Sequence, residues 1–419
     1  MNRRRFLVLL GAALPVAAGG MWWWGRRGES LRVANAAGAG GAMQAAPLTS
    51  SGAVATTTPP ASPWTMRYGP GLPLHWSDPE TSSSPVAQAL ATARKHILAH
   101  CTNLGESNLV IHGVRALGGD LPLGGDAYRV LLQTYTREFA FGGRLWLEVP
   151  VHDEGHGHSM LKTLVERQCD PDLEFIHDGR TYRFRDFVES ARMLSAYPAP
   201  GPVDEHSWTL MALARVTPPG AARWTNARGQ GFDLDRLLDD TSAALEADTR
   251  LVREVDLGAA ELPRDCAAFT RACGGLHMLY ALAAALSSGH GNAQRNAAFA
   301  AHMRTQIRRF TYDLGVIDQV EKLNAARGNP NGAAVAALDQ RVKFLGHSLE
   351  VIGLVDQFRL HEFSPAERRT IDAGRARLCA EIVANASRDY GRVKGHRELY
   401  ESLVSGLCHA YNGLRMSPG

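Results

Sequence analysis

The sequence predicts an all-α fold of about six helical hairpins, preceded by an export signal and a disordered linker. A short pattern centred on histidine recurs six times, and segments with helical periodicity lie between its copies. Small β-hairpins are expected as insertions at the rim of this fold. The predicted organisation is a signal or N-terminal anchor at residues 1–33, a linker at 34–62 and a helical domain at 63–419.

The N-terminal segment has the pattern of a twin-arginine export signal. The residues that carry the pattern are Asn2, Arg3, Arg4, Arg5, Phe6 and Leu7. Asn2 stands where Ser or Thr is usual, Val8 stands where Lys is frequent, and an apolar stretch at 6–18 follows. The resemblance implies that the twin-arginine translocase exports the folded protein to the periplasm or to the extracytoplasmic face of the cytoplasmic membrane.

Two fates of this leader agree with the sequence. Residues 6–24 are just long enough to span a bilayer and end in three tryptophans, which would leave the protein anchored in the membrane. Residues 34–36 instead offer a cleavage site of small residues, and cleavage is the favoured interpretation. From 34 to 62 the chain contains mainly small and polar residues, which cannot bury enough apolar surface to fold. This segment is therefore predicted to be a tether.

The composition excludes several classes of function. Lys and Arg number 45 and Asp and Glu 42, a balance too even for a nucleic-acid-binding surface. The six cysteines are spread along the chain without the density of a disulfide scaffold. The sequence contains no phosphate-binding glycine loop, nucleophile elbow, haem attachment motif or dinucleotide fingerprint. We expect no nucleic-acid partner.

The repeat places a histidine at the start or early part of each copy. The six histidines are His112, His158, His206, His277, His347 and His409. Each is usually followed by a small residue, with an apolar residue at the second place and usually another at the fifth. Because the same positions recur in segments with helical periodicity, the side chains should project from corresponding turns of six helices.

Six further amphipathic segments lie between the histidine helices. They cover residues 85–101, 125–140, 184–196, 234–249, 293–312 and 365–387. Inner and outer helices that alternate in this way describe an α/α toroid, the architecture of lanthionine cyclases, terpene cyclases, sugar epimerases and several polysaccharide-degrading enzymes. A toroid would bring the six histidines to one mouth of a funnel. The alternative is an irregular helical array in which the histidines are ordinary packing residues.

Two segments fifty residues apart predict β-hairpins. Residues 179–184 and 229–234 share a glycine-led run that feeds a helical segment. Each is expected to be the return strand of a small hairpin, and Asp178-Gly179 is suited to the tight turn of the first.

Two cysteine elements resemble the zinc site of lanthionine cyclases. Cys273 is followed by two glycines, and Cys408 directly precedes His409, as in the two ligand elements of that family. The resemblance implies zinc ligands at Cys273, Cys408 and His409, and His277 lies one helical turn from Cys273. Ala410 replaces a glycine of the family pattern, and another histidine helix separates the elements. The resemblance therefore extends to the toroid and the metal, and not to the cyclase reaction. Alternatively, the two cysteines are buried thiols or a disulfide.

Two other clusters suggest chemistry. Three histidines and two carboxylates lie within residues 152–158, which form either a metal or proton-relay site or a solvated turn. Glu205, His206 and Trp208 provide a carboxylate, an imidazole and an aromatic ring for a carbohydrate substrate. In the alternative interpretation Glu205 only favours the start of a helix and Trp208 belongs to the core.

The sequence supports three hypotheses of function. The first is an exported enzyme with a histidine-lined funnel and a zinc ion, acting on an envelope or imported small molecule. Its metal ligands are Cys273, His277, Cys408 and His409, its acid–base residues are His158, His206 and His277 with Glu205 orienting, and its substrate-binding residues are His112, Trp208 and His347. The second is a metal-independent carbohydrate-active epimerase, lyase or hydrolase acting on a glycan. The third is a non-catalytic envelope scaffold.

Overall fold

Helices dominate the computed structural model, which describes residues 64–77, 84–199, 201–259, 261–263 and 271–417. Within these residues the chain has fourteen α-helices and three two-stranded antiparallel sheets, which confirms the predicted all-α class. The predicted signal and linker at 1–62 lie outside the described residues. None of the helices within this part of the chain is both long and apolar enough to cross a membrane.

The elements follow one another with short connections. The helices are α1 (Pro85–His100), α2 (Ser107–Leu117), α3 (Ala127–Tyr135), α4 (Val151–Glu154), α5 (Ser159–Glu166), α6 (Phe184–Leu194), α7 (Ser207–Leu213), α8 (Leu234–Asp248), α9 (Arg250–Glu254), α10 (Leu276–Ala285), α11 (Ala293–Ala326), α12 (Pro330–Gln357), α13 (Pro365–Ala384) and α14 (Arg397–Met416). The strands are β1 (Arg137–Phe141), β2 (Arg144–Glu148), β3 (Glu174–His177), β4 (Arg180–Arg183), β5 (Arg223–Thr225) and β6 (Gly231–Asp233).

The six amphipathic segments correspond to α1, α3, α6, α8, α11 and α13. Polar caps fix where several of them begin: Ser84 accepts a hydrogen bond from the backbone of Ala87, and Ser364 forms a capping box with Glu367. The prediction of helix over 125–140 is wrong beyond Tyr135. Thr136 has extended backbone there, and the chain enters β1.

The helices that carry or directly follow the repeat histidines contact one another in succession. In chain order α2 packs against α5, α5 against α7, α7 against α10, α10 against α12, and α12 against α14. The last of these helices, α14, then packs against the first, α2. In addition, α13 contacts α1 and α11, and α8 contacts α10 and α11. The apolar positions of the repeat are buried, for example Leu279, Leu282 and Ile352.

The two predicted β-hairpins are confirmed. β3 pairs with β4 around Asp178 and Gly179, which both have positive φ, and β4 leads directly into α6. β5 pairs with β6, which leads into α8. A third hairpin, β1–β2, was not predicted, although Gly142 and Gly143 between two runs rich in apolar residues are a hairpin signal. Strand β2 packs against α6.

Glycines allow α12 and α14 to approach closely. A Cβ at Gly346 would lie 2.6 Å from the backbone nitrogen of Ala410, and one at Gly413 would lie 2.6 Å from the carbonyl oxygen of Gly346. A Cβ at Gly353 would meet the backbone of Met416 at the same distance. Only hydrogen side chains fit at these contacts, so the two helices are held backbone to backbone.

We expect Gly346→Ala to lower the free energy of unfolding by about 1–3 kcal/mol, because the added methyl group meets backbone that cannot rotate away. The matched control is Gly406→Ala on α14, where the nearest atom to the new Cβ is 3.7 Å away. The control should be neutral or up to about 1 kcal/mol more stable, because alanine favours helix. Denaturant titration measures both, and equal stability of the two variants would contradict the close contact.

Candidate metal centre

Two groups of potential metal ligands meet where α10, α12 and α14 pack together. Ligand atoms of Cys273, His277 and His347 all lie within 4.8 Å of one another, and so do ligand atoms of His347, Glu350 and His409. His347 belongs to both groups. The repeat histidines of three neighbouring inner helices therefore converge, with a thiol on one side and a carboxylate on the other.

A turn with left-handed backbone positions Cys273. Residues 272–275 form a short 3₁₀ turn before α10, in which Cys273, Gly274 and Gly275 all have positive φ. The carbonyl of Gly274 accepts a hydrogen bond of 2.8 Å from Arg309, whose guanidinium is paired with Asp313. Positive φ is strained for a cysteine, and the two glycines supply the remaining left-handed positions. The Cys-Gly-Gly sequence thus carries the thiol to the start of α10.

The imidazole rings pack directly on one another. The ring centroids of His347 and His409 are 3.6 Å apart, and those of His277 and His347 are 4.7 Å apart. Nδ1 of His409 lies 2.9 Å from a carboxylate oxygen of Glu350, and Nδ1 of His347 lies 3.4 Å from the same oxygen. Because a carboxylate only accepts hydrogen bonds, Glu350 favours the tautomer of neutral His409 with its proton on Nδ1, whereas Nη1 of Arg115, 3.1 Å from the same nitrogen, favours the other. Nδ1 of His277 and Nε2 of His347 are buried and have no hydrogen-bond partner within the part of the chain that the structure describes.

The charges of Cys273 and His277 suit metal binding, whereas His347 must first lose a proton. Burial would raise the pKa of the Cys273 thiol, but the His347 imidazole beside it outweighs burial and holds the pKa below its ordinary value. Burial would lower the pKa of His347, but Cys273 and Glu350 raise it, so metal-free protein favours the imidazolium form of this ring. The pKa values of His277 and His409 are well below the ordinary value, chiefly because both rings are buried. Thiolate and neutral imidazole are the forms in which these side chains bind metals, so metal binding would displace the proton of His347.

A charged layer lies one helical turn beyond the histidines. It consists of Arg115, Lys162, Glu166, Arg215 and Glu350, all of them buried. Arg115 pairs with Glu166 at 2.9 Å and with Glu350, Arg215 pairs with Glu166 at 2.5 Å, and Lys162 pairs with Glu166 at 3.1 Å. Burial would raise the pKa of Glu166, but Lys162, Arg115 and Arg215 together hold it well below its ordinary value.

The sequence analysis missed this charged layer. Arg115 and Glu350 lie three residues after a repeat histidine and Lys162 lies four after one, so each shares a helix face with it. In the repeat these charged residues occupy the third or fourth place after the histidine. The places on either side, the second and the fifth, are mostly apolar. Only the fold shows that these side chains belong to one network.

The remaining repeat histidines lie at different places around the centre. The ring of His112 is 5.2 Å from that of His409, and its Nδ1 donates to the carbonyl of Asn108 at 2.7 Å. Nδ1 of His158 lies 2.7 Å from the hydroxyl of Thr209. The ring of His206 packs edge-on against Tyr197. All three histidines are half-buried. Neither His158 nor His206 belongs to the two potential ligand groups.

Trp208 contacts the centre from α7. Its ring is 5 % exposed, lies 4.3 Å from that of His277 and is stacked at 3.7 Å against His156. A sugar ring that stacked on this face would have to displace His156. Glu205 is exposed, whereas His156, which belongs to the histidine and carboxylate cluster at 152–158, is half-buried beside His277.

Cys408 lies apart from the ligand groups. Its sulfur is 3.8 Å from that of Cys101, and both thiols are buried. Successive residues of a helix point about 100° apart, so Cys408 and His409 face different sides of α14. The structure therefore brings together Cys273, His277 and His409 of the predicted ligand set, adds His347 and Glu350, and places Cys408 elsewhere.

Glu166→Gln should lower the free energy of unfolding by about 3–5 kcal/mol at neutral pH, because it leaves three buried cations without their shared carboxylate. The control is Glu246→Gln, which removes an exposed partner of Arg253 and should cost at most about 1 kcal/mol.

The pH dependence of the Glu166 contribution has a defined sign. The pKa of Glu166 is lower in the folded state than its ordinary value of 4.5, so its contribution is present above about pH 4.5 and is lost as the pH falls through the folded value. Denaturant titrations of the wild type and both variants between neutral and acid pH measure this difference. Equal losses in the two variants at neutral pH would contradict the network.

No protein-family model, curated protein or solved structure matches this chain. The geometry of the centre and of the charged layer is therefore the basis on which a function is proposed.

Proposed function

We propose that the protein is an exported zinc enzyme whose metal is bound by Cys273, His277 and His347. The observation that carries the proposal is the approach of one thiol and two imidazoles to within 4.8 Å, with two of their ring nitrogens left without hydrogen-bond partners. Export rests on the twin-arginine pattern at residues 2–7. The substrate is an envelope or imported small molecule.

The donor set favours zinc. A thiolate together with imidazoles is a typical zinc environment, and three protein ligands leave one position for substrate or water, as in catalytic zinc sites. Bound zinc would supply a Lewis acid at this position. Cys273 is half-buried, whereas His277 and His347 are buried.

Glu350 supports the ligands from behind. Its carboxylate faces Nδ1 of His347 and Nδ1 of His409, and Arg115 holds the carboxylate from the other side. Carboxylates that accept from the second nitrogen of a ligating histidine fix the orientation of the ring and raise its basicity. Glu350 therefore orients His347, and His409 and Arg115 keep Glu350 in place.

Half-buried histidines surround the centre and supply candidate acid–base groups. His112 lies beside His409, and His156 lies beside His277. Because Nδ1 of His112 donates to a backbone carbonyl, its Nε2 is left to accept a proton, and burial lowers the pKa of this ring to about 4. His158 and His206 retain the acid–base role proposed for them only towards a substrate large enough to reach α5 and α7.

The closed succession of contacts among the inner helices supports an α/α toroid. The resemblance to lanthionine cyclases supports it at Cys273 and His409, which lie at the centre. The ligand set proposed here differs from the one that the resemblance implies, because His347 takes the place of Cys408. The cyclase reaction is not part of the proposal.

The full chain, purified without chelator or affinity metal, should contain about one zinc per molecule by elemental analysis. Cys273→Ala and His277→Ala should lose the zinc, because each removes one of three ligands. Cys408→Ala is the matched control, a buried cysteine outside the group, and should keep the zinc. Well-folded wild-type protein without zinc, or zinc lost only from the Cys408 variant, would contradict the proposed site.

The same residues favour a second function, a cysteine-dependent hydrolase or transferase. The thiol of Cys273 lies beside the imidazole of His347, and Nδ1 of that imidazole faces the carboxylate of Glu350. A nucleophile, its base and a group that orients the base have this arrangement. The lowered pKa of Cys273 and the raised pKa of His347 describe a thiolate–imidazolium pair, although burial acts against both charges. This function requires metal-free protein.

Iodoacetamide labelling followed by mass spectrometry separates the two functions. If zinc is bound, Cys273 should be protected and should become reactive when a chelator removes the metal. If the thiol is the nucleophile, Cys273 should react rapidly without chelator, and His347→Ala should slow the reaction at least about tenfold because the thiolate loses its cation. Cys169 is the internal control, since burial raises its pKa well above the ordinary value.

A further inference from the structure

The charged layer contains guanidinium nitrogens that have no hydrogen-bond acceptor among the described residues at ordinary distances. Nη2 of Arg115 and both Nε and Nη2 of Arg215 are buried without an acceptor among the described residues. The two side chains are 3 % and 0 % exposed, so bulk water does not replace the missing acceptors. Buried guanidinium groups normally have all their donors satisfied, and an unused set of donors marks a place for an anion.

The layer also has an excess of positive charge. Three cations, Arg115, Lys162 and Arg215, face two carboxylates, Glu166 and Glu350. Buried charges in proteins are paired, and the missing partner here is one negative charge.

The three cations surround one ring. The guanidinium carbons of Arg115 and Arg215 lie 5.5 Å and 5.6 Å from the centroid of Tyr280, and Nζ of Lys162 lies 5.3 Å from it. Helices α2 and α5 and the turn after α7 thus direct positive charge to the ring that α10 supplies. Asn412, one turn after His409 on α14, is fully buried, and its amide oxygen and nitrogen have no hydrogen-bond partner among the described residues.

This place is continuous with the candidate metal centre. Nη1 of Arg115 pairs with Glu350 and lies 3.1 Å from Nδ1 of His409. Tyr280 lies one turn after His277 on the same face of α10. A small molecule whose reacting atom is at the histidines therefore has the unused donors of Arg115 within one helical turn.

We propose that the charged layer binds an oxyanion group of the substrate, a phosphate or a carboxylate, through Arg115, Arg215 and Asn412. This deepens the proposed function, on which it rests for the identity of the reacting centre, by assigning an anionic small molecule as the substrate class. Glu166 and Glu350 hold the two guanidinium groups in position, and their remaining nitrogens donate to the oxyanion. The amide of Asn412 adds an uncharged donor. One bound negative charge balances the layer.

Isothermal titration of the full chain with inorganic phosphate, and separately with acetate, tests the proposal in metal-free and zinc-loaded protein. Arg215→Lys keeps the charge and a donor for Glu166 but removes the two unused nitrogens, and Asn412→Leu removes the amide while filling its volume. Each should weaken binding of the preferred anion at least about tenfold. The control is Arg341→Lys on α12, which changes a buried arginine that is paired with Asp318 and belongs neither to the charged layer nor to the candidate metal centre. This variant should bind the anion like the wild type.

The outcomes distinguish this inference from the zinc proposal. Anion binding by metal-free protein, lost in Arg215→Lys and Asn412→Leu, supports the oxyanion site whether or not zinc is found. Phosphate alone or acetate alone identifies the substrate group. Folded wild-type protein that binds neither anion, or binding that is unchanged in both variants, overturns the inference even if zinc is present. Circular dichroism and denaturant titration confirm that each variant is folded.

Discussion

The buried pairs that Arg115 makes with Glu166 and Glu350 join the first, second and fifth histidine helices. Because these groups are out of water, removal of any one leaves an opposite charge unpaired, so the three helices are bound to a single relative placement. That placement sets the histidines above the charged network. Glu350 connects the charged network to the histidines, because its carboxylate faces Arg115 on one side and the imidazoles of His347 and His409 on the other. Arg115 therefore determines how the ligand rings are oriented without touching the position where a metal would bind.

Close packing of α12 on α14 is the second constraint. Gly346 directly precedes His347, and Ala410, which faces it, directly follows His409. The backbone contact at this point is what brings the two rings to a centroid distance of 3.6 Å. A larger side chain at Gly346 would separate two imidazoles that share one carboxylate. The geometry of the centre thus depends on a glycine that carries no functional group.

The sequence predicted the helical class, the six amphipathic helical segments between the histidine helices, two of three hairpins and the proximity of His277 and His409. These follow from local signals: periodicity, caps, glycine turns and a repeat register.

Other features of the site depend on how helices that are distant in the chain pack together. They are the side of α14 on which Cys408 lies, the position of Glu350 and the presence of the charged layer. Cys408 is adjacent in sequence to His409, but a helix turns by about 100° per residue, and the neighbouring helix decides which of the two faces the centre. His158 and His206 precede their helices, whereas His347 and His409 lie within theirs, so a shared repeat pattern does not give the six rings the same position. Ion pairs between helices distant in the chain, such as Arg115 with Glu350, have no signature in one sequence.

The candidate metal centre and the charged layer together limit which substrates can bind. A thiol and imidazoles with available nitrogens offer ligands to a cation, and one turn away guanidinium donors without acceptors offer a partner to an anion. If a zinc ion with a charge of two binds through one thiolate, the positive excess of the whole interior increases, and an anionic ligand becomes more necessary. The hydroxyl oxygens of a neutral sugar could accept from the guanidinium donors but would leave this excess of charge unbalanced, and the aromatic face that would stack on the sugar is covered by His156. The buried charges thus favour a small anionic substrate over a glycan, and they do so independently of which of the two mechanisms Cys273 serves.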